Sequence, residues 1–248
     1  MKTIYFYAIL ALLSSNTLYS NTSLLKESIY NAYIIGNIGK WEQLTSSYDY
    51  KSSKDQLSII EHEEMFGIYY GLIAYFIGNN MNKKAETLLL KANKQLEKIM
   101  HDHPNNVRLN AIHGAFLGYA IGLNPLKAPF LGYKSQEKID KALKRDSKNP
   151  YAWLEKANSL FYAPMFVGGS QSDAIAAYKK SIEFFEKNTN NTHNWIYLNA
   201  LISLANAYLE NGYVALSITV YQKILRIEPK FYWVKNELLP TAQKKLPS

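Results

Sequence analysis

The sequence predicts an all-α fold: a solenoid of about five stacked helical hairpins, closed by a C-terminal capping helix. Three observations lead there. A frame of small and large apolar residues recurs along the chain at repeat-length intervals. Phe231, Val234, Leu238 and Leu239 form an amphipathic stretch able to cover the last hairpin, as a solenoid requires. Hydrophobic residues make up 48% of the 248, with only 12 Gly and 8 Pro, which argues against disordered, collagen-like and loop-dominated classes.

The N-terminal segment reads as an address rather than a part of the fold. Lys2 is followed by a ten-residue apolar run, Ile4 to Leu13, and then by the small polar stretch Ser14 to Ser20. That order predicts a secretory signal peptide over 1–20, cleaved after Ser20, with 21–248 as the mature domain. The run is too short to cross ~30 Å of hydrocarbon, which takes ~20 residues. The thirteen-residue stretch Phe66 to Gly78 reads as a buried core helix for the same reason. The chain has no Cys, so disulfide scaffolds, thiolate metal sites, thiol nucleophiles and a lipid-anchored N-terminus are all ruled out. Export without cysteine suits a bacterial periplasm or cell exterior. The net charge of +8 lacks the clustered base- and phosphate-reading residues of a nucleic-acid binder, so none is expected as a partner.

The repeats are expected near 25–52, 66–104, 107–147, 150–187 and 198–229, with the cap at 230–243. The clearest copy holds Leu201, Leu204, Ala205, Tyr208, Ser217, Tyr221, Ile224 and Pro229. Two antiparallel helices approach closely where Ala205 and Ser217 face each other, and Gly212 suits the turn between them. Trp153, Ala157 and Leu160 pair with Ala174, Tyr178 and Ser181 in the copy before it. Gly114 and Leu117 pair with Ile139 and Ala142, while Tyr69, Leu72, Ile73 and Phe76 pair with Ala85, Leu89 and Ala92. A first copy runs through Ala32, Ile35, Gly39, Leu44 and Tyr48.

These spacings resemble the tetratricopeptide-repeat family over nearly the whole mature chain, and the Ala142–Trp153 run resembles the junction between two such repeats. The resemblance implies a concave face lined by the first helix of each repeat. Projected onto this sequence, that face includes Arg108, Tyr151, Asn158, Phe161, Asn199 and Asn206. Asparagines and aromatics there suit a peptide backbone or a sugar. The two-carboxylate clamp of some members needs a Lys one turn before the groove Asn. Leu154 and Ile202 occupy those places, so capture of a C-terminal carboxylate in that style is not expected.

Two copies depart from the usual spacing. The step from Leu117 to Ser135 is nine residues longer than that from Tyr208 to Ser217, and the step from Leu160 to Ala174 is five longer. Both insertions, Gly122–Ser135 and Phe161–Asp173, fall between the two helices of a repeat. Both should therefore emerge on the same edge, as compact ordered loops that touch or nearly touch. Asn124, Pro125, Lys127, Gly132, Lys134, Ser135 and Gln136, followed by Met165, Phe166, Gly168, Gly169 and Ser170, resemble stretches in exported repeat proteins of Bacteroidetes-type bacteria. That resemblance implies compartment and fold and carries no biochemical role.

Catalytic and metal motifs are sparse. His101, His103 and His113 are more readily read as helix-end and core histidines than as zinc ligands. His62-Glu63-Glu64 lacks the second histidine of a zincin, since the fifth residue is Phe66. Gly168, Gly169 and Ser170 offer either an anion-binding turn beside Lys127 and Lys134 or a plain helix cap. Lys134, Lys138, Lys141, Arg145 and Lys148 line one helix either as a solvated face, the favoured reading, or as a basic stripe for acidic envelope polymers or anionic lipid heads.

The expectation is an exported, non-enzymatic interaction module without cofactor or metal. It binds a peptide or protein partner through the concave groove and the two insertions, with Phe130 and Phe166 as aromatic anchors. The alternative is a small-ligand receptor for a glycan or organic anion.

Overall fold

The computed structural model describes residues 22–52, 57–188 and 192–246; the expected signal peptide lies outside them. Among the described residues every regular element is helical. Helix α1 covers 22–34, followed by α2 (Ile38–Ser52), α3 (Ile59–Gly78), α4 (Asn82–Asp102), α5 (Val107–Leu123), α6 (Ala128–Arg145), α7 (Pro150–Tyr162), α8 (Gln171–Lys187), α9 (Trp195–Glu210) and α10 (Val214–Ile227). A closing segment begins with a π-helical turn, Val234–Leu238, and ends as α11 (Leu239–Gln243). Consecutive helices pack as antiparallel hairpins, α3 on α4, α5 on α6, α7 on α8 and α9 on α10, with α10 covered by the closing segment.

Small residues let the paired helices approach. Ser135 Oγ donates to Gly114 O at 2.8 Å, and a Cβ on Gly114 would fall 2.7 Å from Ile139 Cγ1. The turn between α9 and α10 holds Gly212 at φ +79°, a backbone that glycine adopts without steric penalty. Helix α3 begins at Ile59, seven residues before the predicted repeat boundary. A capping box starts it there: Ser58 Oγ accepts from Glu61 N while the Glu61 carboxylate accepts from Ser58 N. The apolar repeat signal misses that first turn, because its inward residues Glu61, His62 and Glu64 are polar yet buried.

The concave side is not an open groove. Chain ends separated by nearly two hundred positions meet across it: Tyr30 Oη donates to Glu228 Oε2 at 3.1 Å. The Tyr33 ring lies 5.1 Å from both Trp195 and Phe231, and Trp41 and Trp195 meet edge to face at 4.8 Å. Helix α3 passes beside this cluster at Gly71, where a Cβ would fall 2.3 Å from the Trp41 ring. The main apolar core runs from Ile29 to Ala242, and Ala111, Ala142 and Ala152 form a small second cluster. With both faces covered, α3 and α9 are apolar nearly all round, as a buried helix must be.

Candidate functional site

The residues projected onto the concave face are engaged inside the molecule. Arg108 is 7% exposed; its Nη1 donates to Glu64 Oε1 at 2.7 Å, with Glu63 Oε2 3.8 Å away. Tyr151 lies flat beneath the guanidinium, 4.4 Å from its carbon. Burial works to raise the Glu64 pKa, but Arg108 and then Lys26 override it and hold the carboxyl below its ordinary value. Asn158 takes a 2.8 Å hydrogen bond from Tyr178 Oη and donates to Tyr70 Oη and to Glu155 Oε2. Phe161 is buried against Tyr178. Asn199 accepts from Tyr33 Oη at 3.5 Å, and Asn206 accepts from Tyr221 Oη at 2.5 Å. Of the expected groove residues Arg108 and Phe161 are buried, while Tyr151, Asn158, Asn199 and Asn206 are half-buried and their polar groups pair within the molecule.

Glu155, which the sequence reading passed over, is the unusual member of that interior. Burial raises its pKa to about 7, against the opposing pull of hydrogen bonds from Asn158 and Tyr70. Elsewhere His113 is pushed down to about 4, by burial first and then by Lys138. The described residues contain no group of three metal-ligating side chains.

The two insertions have another character. The first is helix rather than loop. Asn124 Oδ1 accepts from Leu126 N, Pro125 to Lys127 make one 3₁₀ turn, and α6 starts at once at Ala128 with Pro129 in its first turn. Ser135 is the first buried residue of α6, and of the seven α6 residues before it all but Leu131 and Gly132 are exposed. The second insertion is a tight turn. Met165–Val167 form a 3₁₀ turn, Gly168 sits at φ +97°, and a Cβ on Gly169 would fall 1.8 Å from Ala163 O. Only glycine fits either place.

Of the two readings open for Gly168, Gly169 and Ser170, an anion-binding turn or a helix cap, the geometry favours the cap. Their amides donate to Met165 O, Pro164 O and Leu160 O respectively, so none remains for a ligand. Ser170 Oγ accepts from Asp173 N and caps α8. The helix-cap reading is the one the structure supports.

Both insertions do share one edge. On α6, Gln136 bonds Ser159 of α7, and Lys156 of α7 reaches both Gln136 and Asp140, so the Gln136–Asp140 strip faces α7. One turn before Gln136 comes Tyr133, while Phe130, six residues before Gln136, lies about 120° round the helix from it. Continuing α7 past Ser159 leads to Tyr162 and then to the Met165–Val167 turn. The start of α6 and this turn therefore lie on one edge, beside the α6/α7 pair. Its side chains are large, apolar and uncovered: Leu126, Phe130, Tyr133, Tyr162, Met165, Phe166 and Val167 are all at least 63% exposed. Lys127 and Lys134, also exposed, flank it.

A contiguous exposed apolar surface of this kind marks a binding site more often than a scatter of single residues does. Sequence reasoning named only Phe130 and Phe166 in it. The insertion lengths were the signal for the rest, since most residues added beyond the repeat frame have no core to enter.

No family model matches the chain, and no curated protein matches it. Among solved structures it resembles the HusA haemophore from Porphyromonas gingivalis, with a TM-score of 0.59 and 18% sequence identity over 73% of this chain and 92% of that one. At that identity the likeness is one of fold. No described helix is long and apolar enough to cross a membrane.

Proposed function

We propose that this chain is an exported, non-enzymatic binding protein of tetratricopeptide type, which captures a flat apolar molecule bearing carboxylates at the edge shared by its two insertions. The observation that carries this reading is the set of seven exposed large apolar side chains that the two insertions bring to one edge, with Lys127 and Lys134 exposed beside them. The haemophore neighbour supports a porphyrin-class ligand, and an apolar surface flanked by cations suits such a disc with its two propionates. Tyr133, Tyr162 and Met165 bring side-chain types able to ligate haem iron. Capture of an extended peptide along the concave side is the less favoured reading, because the polar groups of Asn158, Asn199 and Asn206 there are already paired within the molecule.

The test is a titration of the mature protein with hemin and, separately, with iron-free protoporphyrin, read by Soret absorbance and by tryptophan quenching. Saturable 1:1 binding is expected, weakened at least tenfold in Phe130→Ala/Phe166→Ala with the helical melt unchanged. Two lost phenylalanine contacts of roughly 1.5–3 kcal/mol each are ample for that. An unchanged Soret band, or equal binding by the variant, overturns the reading.

A further inference from the structure

Inside the protein, on the helix that leads to the second insertion, lies a carboxyl group that the binding surface does not use. Glu155 is 6% exposed on α7, and the groups around it are neutral or acidic. Tyr70 of α3 and Asn158 of α7 hydrogen-bond it, and Tyr119 of α5 and Tyr178 of α8 feel its charge. Tyr162 of α7 does so too, and Glu210 of α9 acts on Tyr162 and Tyr178. None of these carries a positive charge. A buried carboxylate with only phenols and an amide to solvate it is costly, whereas the protonated acid is accommodated easily.

The cluster is also wired to the insertion edge. Glu155 holds Asn158, Asn158 accepts from Tyr178, Tyr178 packs edge-on against Phe161, and Phe161 packs against Tyr162 at 5.0 Å. Tyr162 is the last residue of α7 and one of the exposed rings of that edge. The same short span closes on itself through Ala163 N donating to Ser159 O and Ser170 N donating to Leu160 O.

We propose that Glu155 is a proton-operated regulator of the insertion edge: neutral, it holds the end of α7 in place for binding; ionised, it loosens that segment and releases the ligand. This rests on the reading of that edge as the binding site. The ionisation falls near neutral pH, within reach of ordinary changes outside a cell. The device needs only that the carboxylate be better solvated when α7 frays than when it is packed, which its surroundings ensure.

The experiment compares wild type with Glu155→Gln, which keeps the shape and cannot ionise. Hydrogen exchange at the amides of 160–170 is measured at pH 5.5 and 8.5 on the ligand-free proteins; comparing the two proteins at one pH cancels the chemical rate. Equal protection at pH 5.5 and at least threefold faster exchange of the wild type at pH 8.5 is expected. Hemin affinity should fall roughly tenfold between those pH values in the wild type and stay flat in the variant. Equal exchange at both pH values overturns the proposal, as does a wild-type affinity that follows the variant. Faster wild-type exchange without hemin binding at any pH upholds the regulator and sinks the ligand reading instead. Should Glu155→Gln not fold, carboxyl NMR of glutamate-labelled wild type decides: a midpoint near 7 supports the switch, and one in the ordinary 4–5 range refutes it.

Discussion

The concave interior and the insertion edge are built from the same residue types and meet opposite fates. Inside, Tyr33, Trp41 and Trp195 pack ring on ring, and Tyr30, Tyr70 and Tyr178 each place a hydroxyl in a hydrogen bond. At the edge, Phe130, Tyr133, Tyr162 and Phe166 each expose three quarters or more of their surface. Inside, polar groups sit where a partner waits: Glu64 against Arg108, Asn206 against Tyr221. At the edge, lysines stand in solvent beside bare rings. The face expected to bind has its polar residues paired within the molecule, and large uncovered apolar side chains stand at the two insertions instead. Stability and binding are thereby separated, and substitutions should divide accordingly.

The largest effect is expected inside. Arg108→Ala leaves Glu64 buried without its closest partner and should cost about 3–5 kcal/mol in chemical denaturation. A cost below ~1 kcal/mol would show that the interior is wetter than its packing indicates.

Next comes the pH profile of stability. The Glu155 pKa is raised from 4.5 unfolded to about 7 folded, so across that window the folded state holds a proton the unfolded chain has lost. The contribution of Glu155 is thus fully present below pH 4.5 and declines as pH rises to about 7. By 1.36 kcal/mol per unit the decline amounts to roughly 3 kcal/mol, and Glu155→Gln should remove it. Denaturation midpoints at pH 5 and 8 for both proteins measure this, and parallel profiles would count against it.

The smallest effect on stability is expected at the edge. Phe130→Ser/Phe166→Ser should shift unfolding by less than ~0.5 kcal/mol, because nothing packs on those rings. A cooperative loss of several kcal/mol would mean that the rings are covered in solution and would erase the contrast between the two regions. Lys127→Gln/Lys134→Gln should likewise leave the melt alone, while weakening hemin binding a few-fold and flattening its dependence on salt.

The helical hairpins were legible because each rests on local pattern. Gly114, Ala205 and Ser217 mark close helix approaches at fixed spacing, and the insertion lengths marked the edge where the uncovered side chains stand. The first turn of α3 was not legible, since its buried Glu61, His62 and Glu64 look like surface residues until Ser58, Tyr48 and Arg108 are beside them. Tyr133 was missed for a related reason. Its value lies in facing α7, which depends on how α6 is rotated, and only the Gln136–Ser159 contact reveals that rotation.

By itself, then, the sequence determined the helices, their pairing and the positions of the two interruptions, because those depend on neighbours a few or a few tens of residues apart. The tertiary structure decided how far the array curls, and with it which of the expected groove residues are buried or paired. That outcome depends on contacts such as Tyr30 to Glu228, between residues almost at opposite ends of the described chain. The energy of such a contact is set by distances that no local spacing encodes. The same closure turned Glu155 from an ordinary helix glutamate into a buried acid that titrates near neutrality.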